Sequence, residues 1–412
     1  MVFERKVLAY IESIRDDIIN TLRNFIRIPT VNPPGEEDKL VPTVSELLRK
    51  MGLDVEVKEV FPNRHNVIGY LERGEGPRII LNGHMDVVPP GENWTVDPFS
   101  ATIKNGKLYG RGASDMKSGL VAMIMAVKSI IETEADVKGS IVITAVVDEE
   151  VHAAGTRKLV EEGISGDMAI VGEPTNLGIC IAHKGGAGIY ITTKGRIAHA
   201  SVPEEGVNAI LGMAKVINAL DKYYNKNLKR KSHRLLGHPT LAVTLIRGGL
   251  KHNIIPDKCE IYVDRRTIPG ERTQDVIKEI QEIIDEVKKR YAEIDAQISA
   301  IPVGPESEDE MKELEKQKIK VPPHKPMEVS PESEIVTILK EAIQQITGKE
   351  PQIKGMPGWT DAALLTNMSK IPTVVFGPGD ILQAHSNEEW VAIEELIQAT
   401  KVYIYTALRV CG

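Results

Sequence analysis

The sequence predicts an α/β fold: a mixed, mostly parallel sheet covered by helices forms a catalytic domain, which a smaller domain interrupts. Three observations carry this prediction. Apolar β-branched runs alternate with amphipathic helical segments over residues 1–183. The order changes to βαββαβ over residues 184–303, which is typical of a two-layer sandwich. The first pattern resumes over residues 304–412, and 412 residues are more than one small core needs.

The individual elements follow from apolar spacing and from breakers. Helical spacing across residues 5–27 predicts one helix, which ends before Pro29, and a second helix over 39–51 ends at Gly52. The first part continues with strands 53–59, 65–71, 77–82, 139–147 and 167–172 and with helices after Asp115 and over 153–163. The insert comprises strand 187–195, helix 206–222, strands 240–247 and 259–266, helix 273–290 and strand 295–302. Helix 332–347, strand 372–376 and helix 388–408 complete the chain, after a segment 303–330 rich in Glu, Lys and Pro that we expect to be a solvated connection.

Composition excludes several classes of function. The net charge is −7 and the two signs are interleaved, which argues against nucleic acid as a partner. The three cysteines share no short spacing, so we expect free thiols rather than disulfides or a Cys-based zinc site. The first 17 residues lack the apolar core of a signal peptide, and no apolar run reaches the length of a bilayer span. We therefore expect a cytoplasmic protein without a membrane partner.

Seven acidic or imidazole side chains lie where apolar strand-like runs give way to Gly, Pro or a turn. They are His84, Asp86, Asp115, Glu149, Glu150, Glu173 and His385. Sites in open α/β sheets form at the carboxyl ends of the strands, so we expect these side chains to converge. Two imidazoles and several carboxylates are ligands that suit two zinc-like ions. The sequence therefore predicts a two-metal hydrolase.

Five of these residues also have a simpler interpretation. Residues i and i+2 of a strand share a face, so Asp86 can accept the second ring N–H of a metal-binding His84, or the two can form a structural pair. Asp115 can bridge two ions or cap the helix that follows it. One of Glu149 and Glu150 can ligate metal while the other acts as a general base, or both can be solvated loop acids.

The motifs carry a family resemblance that runs over nearly the whole chain. GHMDVVP, GRGASDMKSG, the DEE triplet, VGEPT and GPGD…AHS resemble, in the same order, the co-catalytic zinc amidohydrolases and exopeptidases. That family includes acetylornithine deacetylase, succinyl-diaminopimelate desuccinylase, aminoacylase and the glutamate carboxypeptidases. The resemblance implies two zinc ions per subunit, although Co²⁺ or Mn²⁺ would fit as well. It implies one ion on His84, Asp115 and Glu173, a second on Asp115, Glu150 and His385, Glu149 as general base, and Asp86 orienting His84.

The insert resembles the lid domain of the same family. KGRIAHAS with His199, GGLKHNIIPD with Asn253 and DRRTIPG with Arg266 carry this resemblance, which implies substrate contacts and a homodimer through the lid. His199 can donate to an oxyanion, from its own subunit or across the dimer, and Arg266 can grip a carboxylate. A surface position for His199 and an ion pair between Arg266 and Asp264 are the alternatives.

One loop departs from the family pattern. Gly358-Trp359-Thr360-Asp361 resembles a Gly-Gly-Thr-Asp substrate loop in which Trp359 replaces a glycine. The resemblance implies that Gly358 and Thr360 contact the substrate and that Trp359 adds an aromatic wall. The resulting hypothesis is an amidohydrolase for N-acyl amino acids, such as N-acetyl or N-succinyl diamino acids. A metallo-carboxypeptidase or dipeptidase is the alternative, and a non-catalytic binding protein on the same scaffold is a third interpretation.

Overall fold

A computed structural model describes residues 2–301 and 324–412. The predicted connection 303–330 and its charged part 303–325 fall mainly on residues 302–323, outside the described residues. The helices are α1 (Val2–Ser13), α2 (Arg15–Ile26), α3 (Val41–Lys50), α4 (Lys117–Glu132), α5 (Ala154–Glu161), α6 (Ala209–Lys226), α7 (Thr273–Arg290), α8 (Glu334–Thr347), α9 (Ala362–Asn367) and α10 (Ile393–Cys411).

Strands make up the second set of elements. They are β1 (Asp54–Phe61), β2 (Arg64–Glu72), β3 (Arg78–His84), β4 (Thr102–Lys104), β5 (Lys107–Tyr109), β6 (Ser140–Val146), β7 (Met168–Val171), β8 (Ile179–His183), β9 (Gly185–Lys194), β10 (Ala198–His199), β11 (Thr240–Gly248), β12 (Ile254–Ile255), β13 (Lys258–Thr267), β14 (Asp295–Ile301), β15 (Met327–Glu328), β16 (Ile353–Met356), β17 (Thr373–Val375) and β18 (Trp390–Ala392).

The chain divides into two compact units. The first unit comprises Met1–Ile181, Glu328–Gly355 and Thr360–Gly412, and the second comprises Ala182–Met327 and Met356–Trp359. Two segments of the second unit therefore interrupt the first unit in sequence: a long one and one of four residues. The mixed α/β fold class is confirmed.

The first unit is built on a mixed sheet with the strand order β1-β2-β6-β3-β7-β17-β8. Pairing is parallel from β6 through β3 and β7 to β17, and antiparallel on either side. Every residue of β6 and β7 is buried, as expected for strands that are covered on both faces. Because β3, β6, β7 and β17 run in the same direction, the residues that follow them emerge at one edge of the sheet.

Two predicted helices differ most from the structure. The single helix predicted over 5–27 is two helices, α1 and α2, which meet at Ile14. The apolar spacing continues through this junction because α1 and α2 both pack against α4. The last helix begins at Ile393 rather than near 388, because residues Trp390–Ala392 pair with β5 instead. Short elements such as β4, β5, β18 and α9 were not predicted, since three to six residues show too little periodicity.

The second unit has an antiparallel sheet in the order β11-β13-β9-β14, with α6 and α7 packed against it. Burial alternates along β13, where Cys259, Ile261 and Val263 join the core beneath the two helices. This is the βαββαβ order that the sequence predicts. In the part of the chain that the structure describes, each helix is too short or too polar to cross a bilayer.

Candidate metal centre

Parallel strands deliver the predicted site residues to one edge of the main sheet. His84 is the last residue of β3, and Glu149 and Glu150 follow β6 after a short turn. Glu173 lies two residues beyond β7, and the loop after β17 carries His385. The site is therefore a consequence of strand direction.

One cluster forms around the ring of His84, which is almost fully buried. Its Nε2 lies 3.1 Å from Oδ1 of Asp115 and 3.6 Å from Oε1 of Glu173. Nδ1 of the same ring lies 2.9 Å from the backbone carbonyl oxygen of Asp86. That contact fixes the ring with Nε2 directed at the two carboxylates.

A second cluster forms around His385. Its Nε2 lies 3.0 Å from Oε2 of Glu150 and 3.4 Å from Oδ2 of Asp115. Asp115 thus directs one carboxylate oxygen toward each imidazole, which is the arrangement of a ligand that bridges two ions. The His385 side chain is 53% exposed, whereas the Glu150 side chain is 6% exposed, so the cluster opens to solvent on the histidine side.

The spacing of these donors fits divalent metal. Ligands held tetrahedrally at about 2.0–2.2 Å from one zinc ion lie roughly 3.3–3.6 Å from each other. The four distances above, 3.0–3.6 Å, cover this range. Two overlapping sets of three donor atoms are each close enough together to bind one ion. The first set is His84, Glu149 and Glu173, and the second is His84, Asp115 and Glu150. Oε1 of Glu150 is also buried without a hydrogen-bond partner, which fits an oxygen that would ligate a cation.

Glu149 occupies a different position from the other carboxylates. Its Oε2 lies 4.0 Å from Nε2 of His84, farther than the oxygens of Asp115 and Glu173. Burial and the adjacent charge of Glu173 raise the pKa of Glu149 well above its ordinary value. A carboxylate with a raised pKa at the edge of a metal cluster can accept a proton and return it.

The charged groups of Glu173, Asp115 and His385 shift the pKa values of one another or of their neighbours. Burial and the charge of Asp115 raise the pKa of Glu173 well above its ordinary value. Burial opposes ionisation of Asp115, but hydrogen bonds with His385 and His84 dominate and hold its pKa far below the ordinary range. Contacts with Asp115 and Glu150 raise the pKa of His385 to about 10. This concentration of buried carboxylates needs positive charge, which divalent metal ions would supply.

Asp86 lies between His84 and the segment that follows β6. Its Oδ1 is 3.5 Å from Nδ1 of His84, beyond the carbonyl oxygen that the ring contacts directly. Its two carboxylate oxygens instead accept the backbone N–H groups of Glu149 and Glu150, at 3.2 and 3.1 Å, and an N–H of Asn32 at 2.8 Å. Asp86 therefore also fixes the segment that carries Glu149 and Glu150.

A buried polar network behind Asp86 was not predicted. Asn32 also donates to Asp148 at 3.1 Å, and Arg64 pairs with Asp148 at 2.9 Å and with Glu37. Asp148 is the first residue of the DEE triplet, which is the one sequence signal that could have identified it. Asn32, Glu37 and Arg64 come from elements whose sequence gives no sign of this contact.

The predicted lid residues lie in the second unit. His199 belongs to β10, which pairs with β12, and its exposed ring contacts Oγ of Ser201 at 2.7 Å. The carbonyl of Asn253 accepts the N–H of Ala200, which places Asn253 beside His199 on this ribbon. Arg266 lies on β13, and Asp264 holds its guanidinium through two hydrogen bonds of 2.8 and 2.9 Å.

The Trp359 loop divides between the units. Thr360 is buried in the first unit, where its Oγ1 accepts the N–H of Ala362 at the start of α9. Gly358 and Trp359 belong to the second unit, and the Trp359 ring stacks on His324 with 4.3 Å between ring centroids. An added Cβ at Gly358 would meet no atom within 4 Å.

Comparison with known proteins shows which family and which relatives this chain resembles. The model of the family "Peptidase family M20/M25/M40" matches residues 80–409. The chain is 29% identical to N-formyl-4-amino-5-aminomethyl-2-methylpyrimidine deformylase of Halalkalibacterium halodurans, covering 97% of this chain and 95% of the relative. It is 30% identical to a probable succinyl-diaminopimelate desuccinylase of Staphylococcus epidermidis, with 94% and 96% covered.

Solved structures show the same fold at lower identity. A tripeptidase from Staphylococcus aureus superposes with a TM-score of 0.78 at 21% identity, covering 96% of this chain and 98% of the other. A dinuclear metal-binding peptidase of the M20 family from Bacillus subtilis superposes with a TM-score of 0.71 at 18% identity, covering 97% and 99%.

Proposed function

This chain belongs to peptidase family M20/M25/M40, whose members hydrolyse amide or peptide bonds, and we propose that it is a two-zinc amidohydrolase for N-acyl amino acids. N-acetyl and N-succinyl diamino acids are the substrates that we favour. The proposal rests on the position of Asp115: one of its carboxylate oxygens lies beside His84 and the other lies beside His385. The fit of zinc rests on the mixed imidazole and carboxylate donors and on their spacing.

We assign the ligands as the sequence predicts. His84, Asp115 and Glu173 would hold one ion, and Asp115, Glu150 and His385 would hold the other. When bound, such ions acidify a water and polarise the scissile carbonyl. Co²⁺ or Mn²⁺ would serve the same donors.

The chain's own residues supply proton transfer. Glu149 takes the proton of the attacking water and delivers it to the departing nitrogen, for which its raised pKa is suited. Asp86 holds the Glu149 backbone in place through the hydrogen bond to its N–H. Glu149 and Asp86 both belong to the first unit, so the two proton transfers use residues of that unit alone.

Substrate binding is assigned to the predicted lid residues. His199 would donate to the oxyanion, from its own subunit or across a dimer, with Asn253 beside it. Arg266 would bind a substrate carboxylate by exchanging Asp264 for it, since a guanidinium offers a bidentate fork. Gly358 and Thr360 would line the substrate loop, in which Trp359 narrows the space that a glycine would leave.

The substrate class rests on the relatives named above. The deformylase and the desuccinylase both remove an acyl group from nitrogen, and both align over most of this chain. A metallo-carboxypeptidase or dipeptidase is the second candidate, because a tripeptidase shares the fold. Three buried, free cysteines agree with a reducing compartment, and we place the reaction in the cytoplasm.

Amino-acid release from a matched substrate panel distinguishes the two candidates. The panel pairs N-acetyl and N-succinyl derivatives of lysine, ornithine and diaminopimelate with dipeptides that contain the same residues, each assayed with zinc supplied. We expect kcat/KM for the best acyl derivative to exceed that for the best dipeptide. The reverse order would replace the deacylase proposal with the peptidase one.

We further propose that the enzyme is a homodimer joined through the second unit. β11 is an edge strand of nine residues, and the apolar side chains of Leu245, Ile246 and Leu250 are 43%, 58% and 75% exposed on or beside it. A long edge with exposed apolar side chains is a template for pairing with a second chain. Two copies of β11 would satisfy each other's free backbone groups.

Charged substitutions on β11 test this dimer. We expect Leu245→Lys/Ile246→Lys to convert a particle of twice the chain mass into a monomer, because burying two ammonium groups opposes association. Ile103→Lys is the control, since Ile103 is also 43% exposed on a strand, in the first unit. Sedimentation velocity would measure the masses, and a double variant that stays dimeric would remove β11 from the interface.

A further inference from the structure

Glu389 is a buried acid close in sequence to His385 that the mechanism above does not use. It lies four residues beyond His385, immediately before β18, and its side chain has no exposed surface. A buried carboxylate is costly unless hydrogen bonds and opposite charge compensate it. Its partners therefore indicate what it does.

Those partners all belong to the loop that carries Asp115. Oε1 of Glu389 accepts the backbone N–H groups of Ser114 and Asp115 at 2.7 and 2.9 Å. Oε2 accepts the N–H of Gly112 at 3.1 Å and Nη1 of Arg111 at 2.6 Å. Each oxygen thus accepts two hydrogen bonds, and three of the four donors are backbone groups.

The connection between the two loops continues on either side of this carboxylate. The carbonyl oxygen of Glu389 accepts the N–H of Gly110 at 3.0 Å. Oγ of Ser114 donates to the carbonyl of Asp380, in the loop that leads to His385, at 3.1 Å. A Cβ added at Gly379 would lie 2.4 Å from that same Oγ, so the two loops are in direct contact.

A simple structural ion pair would not require this arrangement. Arg111 alone could neutralise Glu389, and the three backbone contacts would then be unnecessary. They instead fix the backbone of Asp115 itself, the residue that serves both clusters. His385 has a half-exposed side chain and depends on its loop for its position.

We propose that Glu389 is a positioning residue that sets the separation between Asp115 and His385 and thereby builds the second metal position. This inference rests on the proposed two-metal function. Gly112, Ser114 and Asp115 donate hydrogen bonds to a carboxylate that the His385 segment provides, so these bonds join the loop of the bridging ligand to the loop of the histidine. Residues that orient metal ligands in this way typically change metal affinity by about 10–100-fold when replaced.

Glu389→Gln is the primary test, because the amide keeps the size of the side chain. Its NH₂ group cannot accept the backbone N–H groups that one carboxylate oxygen accepts, so the Asp115 loop must shift. We expect calorimetric titration of the chelated protein with Zn²⁺ to show the second site weakened at least about tenfold and more strongly than the first, because Asp115 serves both sites whereas only the second also depends on His385. With Co²⁺ as probe, the visible spectrum of the second equivalent should change.

Glu271→Gln is the matched control. Glu271 also pairs with a buried arginine, Arg265, and also accepts a backbone N–H, that of Ile268, but it belongs to the second unit. We expect this variant to lose stability while it binds two metal ions with wild-type affinity and an unchanged Co²⁺ spectrum. A purely structural role for Glu389 predicts the same behaviour for both variants.

The outcomes separate this inference from the proposed function. Wild-type protein that binds two ions, together with a Glu389→Gln variant of equal affinity and spectrum, overturns the inference alone. Wild-type protein that does not bind two ions overturns the proposed function instead. If Glu389→Gln does not fold, Glu389→Asp decides: a weakened second site supports the inference, and two wild-type sites overturn it.

Discussion

Replacing Glu149 with glutamine is expected to lower kcat by about 10³-fold while both metal ions stay bound. The amide cannot take a proton from the attacking water, and general-base catalysis contributes about 10²–10⁴-fold in enzymes. Metal retention is expected because Glu149 lies 4.0 Å from His84, outside the closer oxygens of Asp115 and Glu173. Steady-state kinetics on the best substrate and metal analysis of the purified variant would measure the two effects.

Two results would change the assignment of Glu149. A variant that keeps kcat within threefold of wild type would remove Glu149 from proton transfer. A variant that loses one metal equivalent would make Glu149 a ligand, since it can share an ion with His84 and Glu173. Glu161→Gln, at a half-exposed position of α5, is the matched control and should retain both activity and metal.

Chelated protein is expected to become less stable as the pH rises from 5 to 7. Burial raises the pKa of Glu37 and of Asp361 to about 7, and it raises those of Glu149 and Glu173 well above the ordinary value. A carboxyl with a higher pKa in the folded chain than in the unfolded chain binds more protons when folded. The free energy of unfolding therefore falls with pH between the two values, here by at least about 2 kcal/mol.

Other groups do not reverse this sign in the chosen window. The pKa of Asp115 is lowered, so its stabilising contribution is complete above the ordinary aspartate value and constant from pH 5. The raised pKa of His385 acts in the same direction as the carboxyls above about pH 6.5. Burial lowers the pKa of Lys117 to about 7, and its opposing contribution begins only near that pH. Burial also lowers the pKa of His183 to about 4, which opposes the trend up to about pH 6.5, but burial raises the pKa of Glu389 to about 7 and this offsets the contribution of His183.

Bound metal should abolish the loss of stability between pH 5 and 7. Zinc at 1,000 times its dissociation constant adds about 4 kcal/mol per site, because it binds the folded chain only. Since zinc displaces protons from its ligands, this gain increases with pH. Urea unfolding at pH 5, 6 and 7, with chelator and with zinc, would measure both trends. Chelated protein that becomes more stable toward pH 7 would contradict the account of the buried carboxylates.

The central strands of the fold could be predicted because both of their faces are buried. β3, β6 and β7 are continuous apolar runs with turn residues at their ends, and their predicted bounds lie within two residues of the observed ones. The junction at Ile14 could not be predicted, because apolar spacing passes through it unchanged. The sequence predicts a helix at the position of β18, because the pairing of β18 with β5 joins segments more than 280 residues apart and gives no local signal.

In the candidate site, too, some residues could be predicted from the sequence and others could not. The convergence of residues such as His84 and Glu173 could be predicted because each lies at or just after the end of a strand, and strands of one direction end at one edge. Glu389 and Arg64 could not be singled out from the sequence, since their hydrogen bonds join them to residues distant in the chain. Asp86 was predicted to contact His84, and its contacts with the backbone of Glu149 and Glu150 appear only in three dimensions.

Zinc titration of chelated protein, with amide hydrolysis as the readout, tests the central claim most directly. The best substrate of the panel would be assayed after chelation and after each added equivalent of Zn²⁺, with bound metal measured on the same samples. The account predicts that chelation abolishes hydrolysis and that activity returns to its maximum at two bound ions per chain. Hydrolysis that survives complete removal of metal, or that saturates without bound zinc, would contradict a two-metal hydrolase.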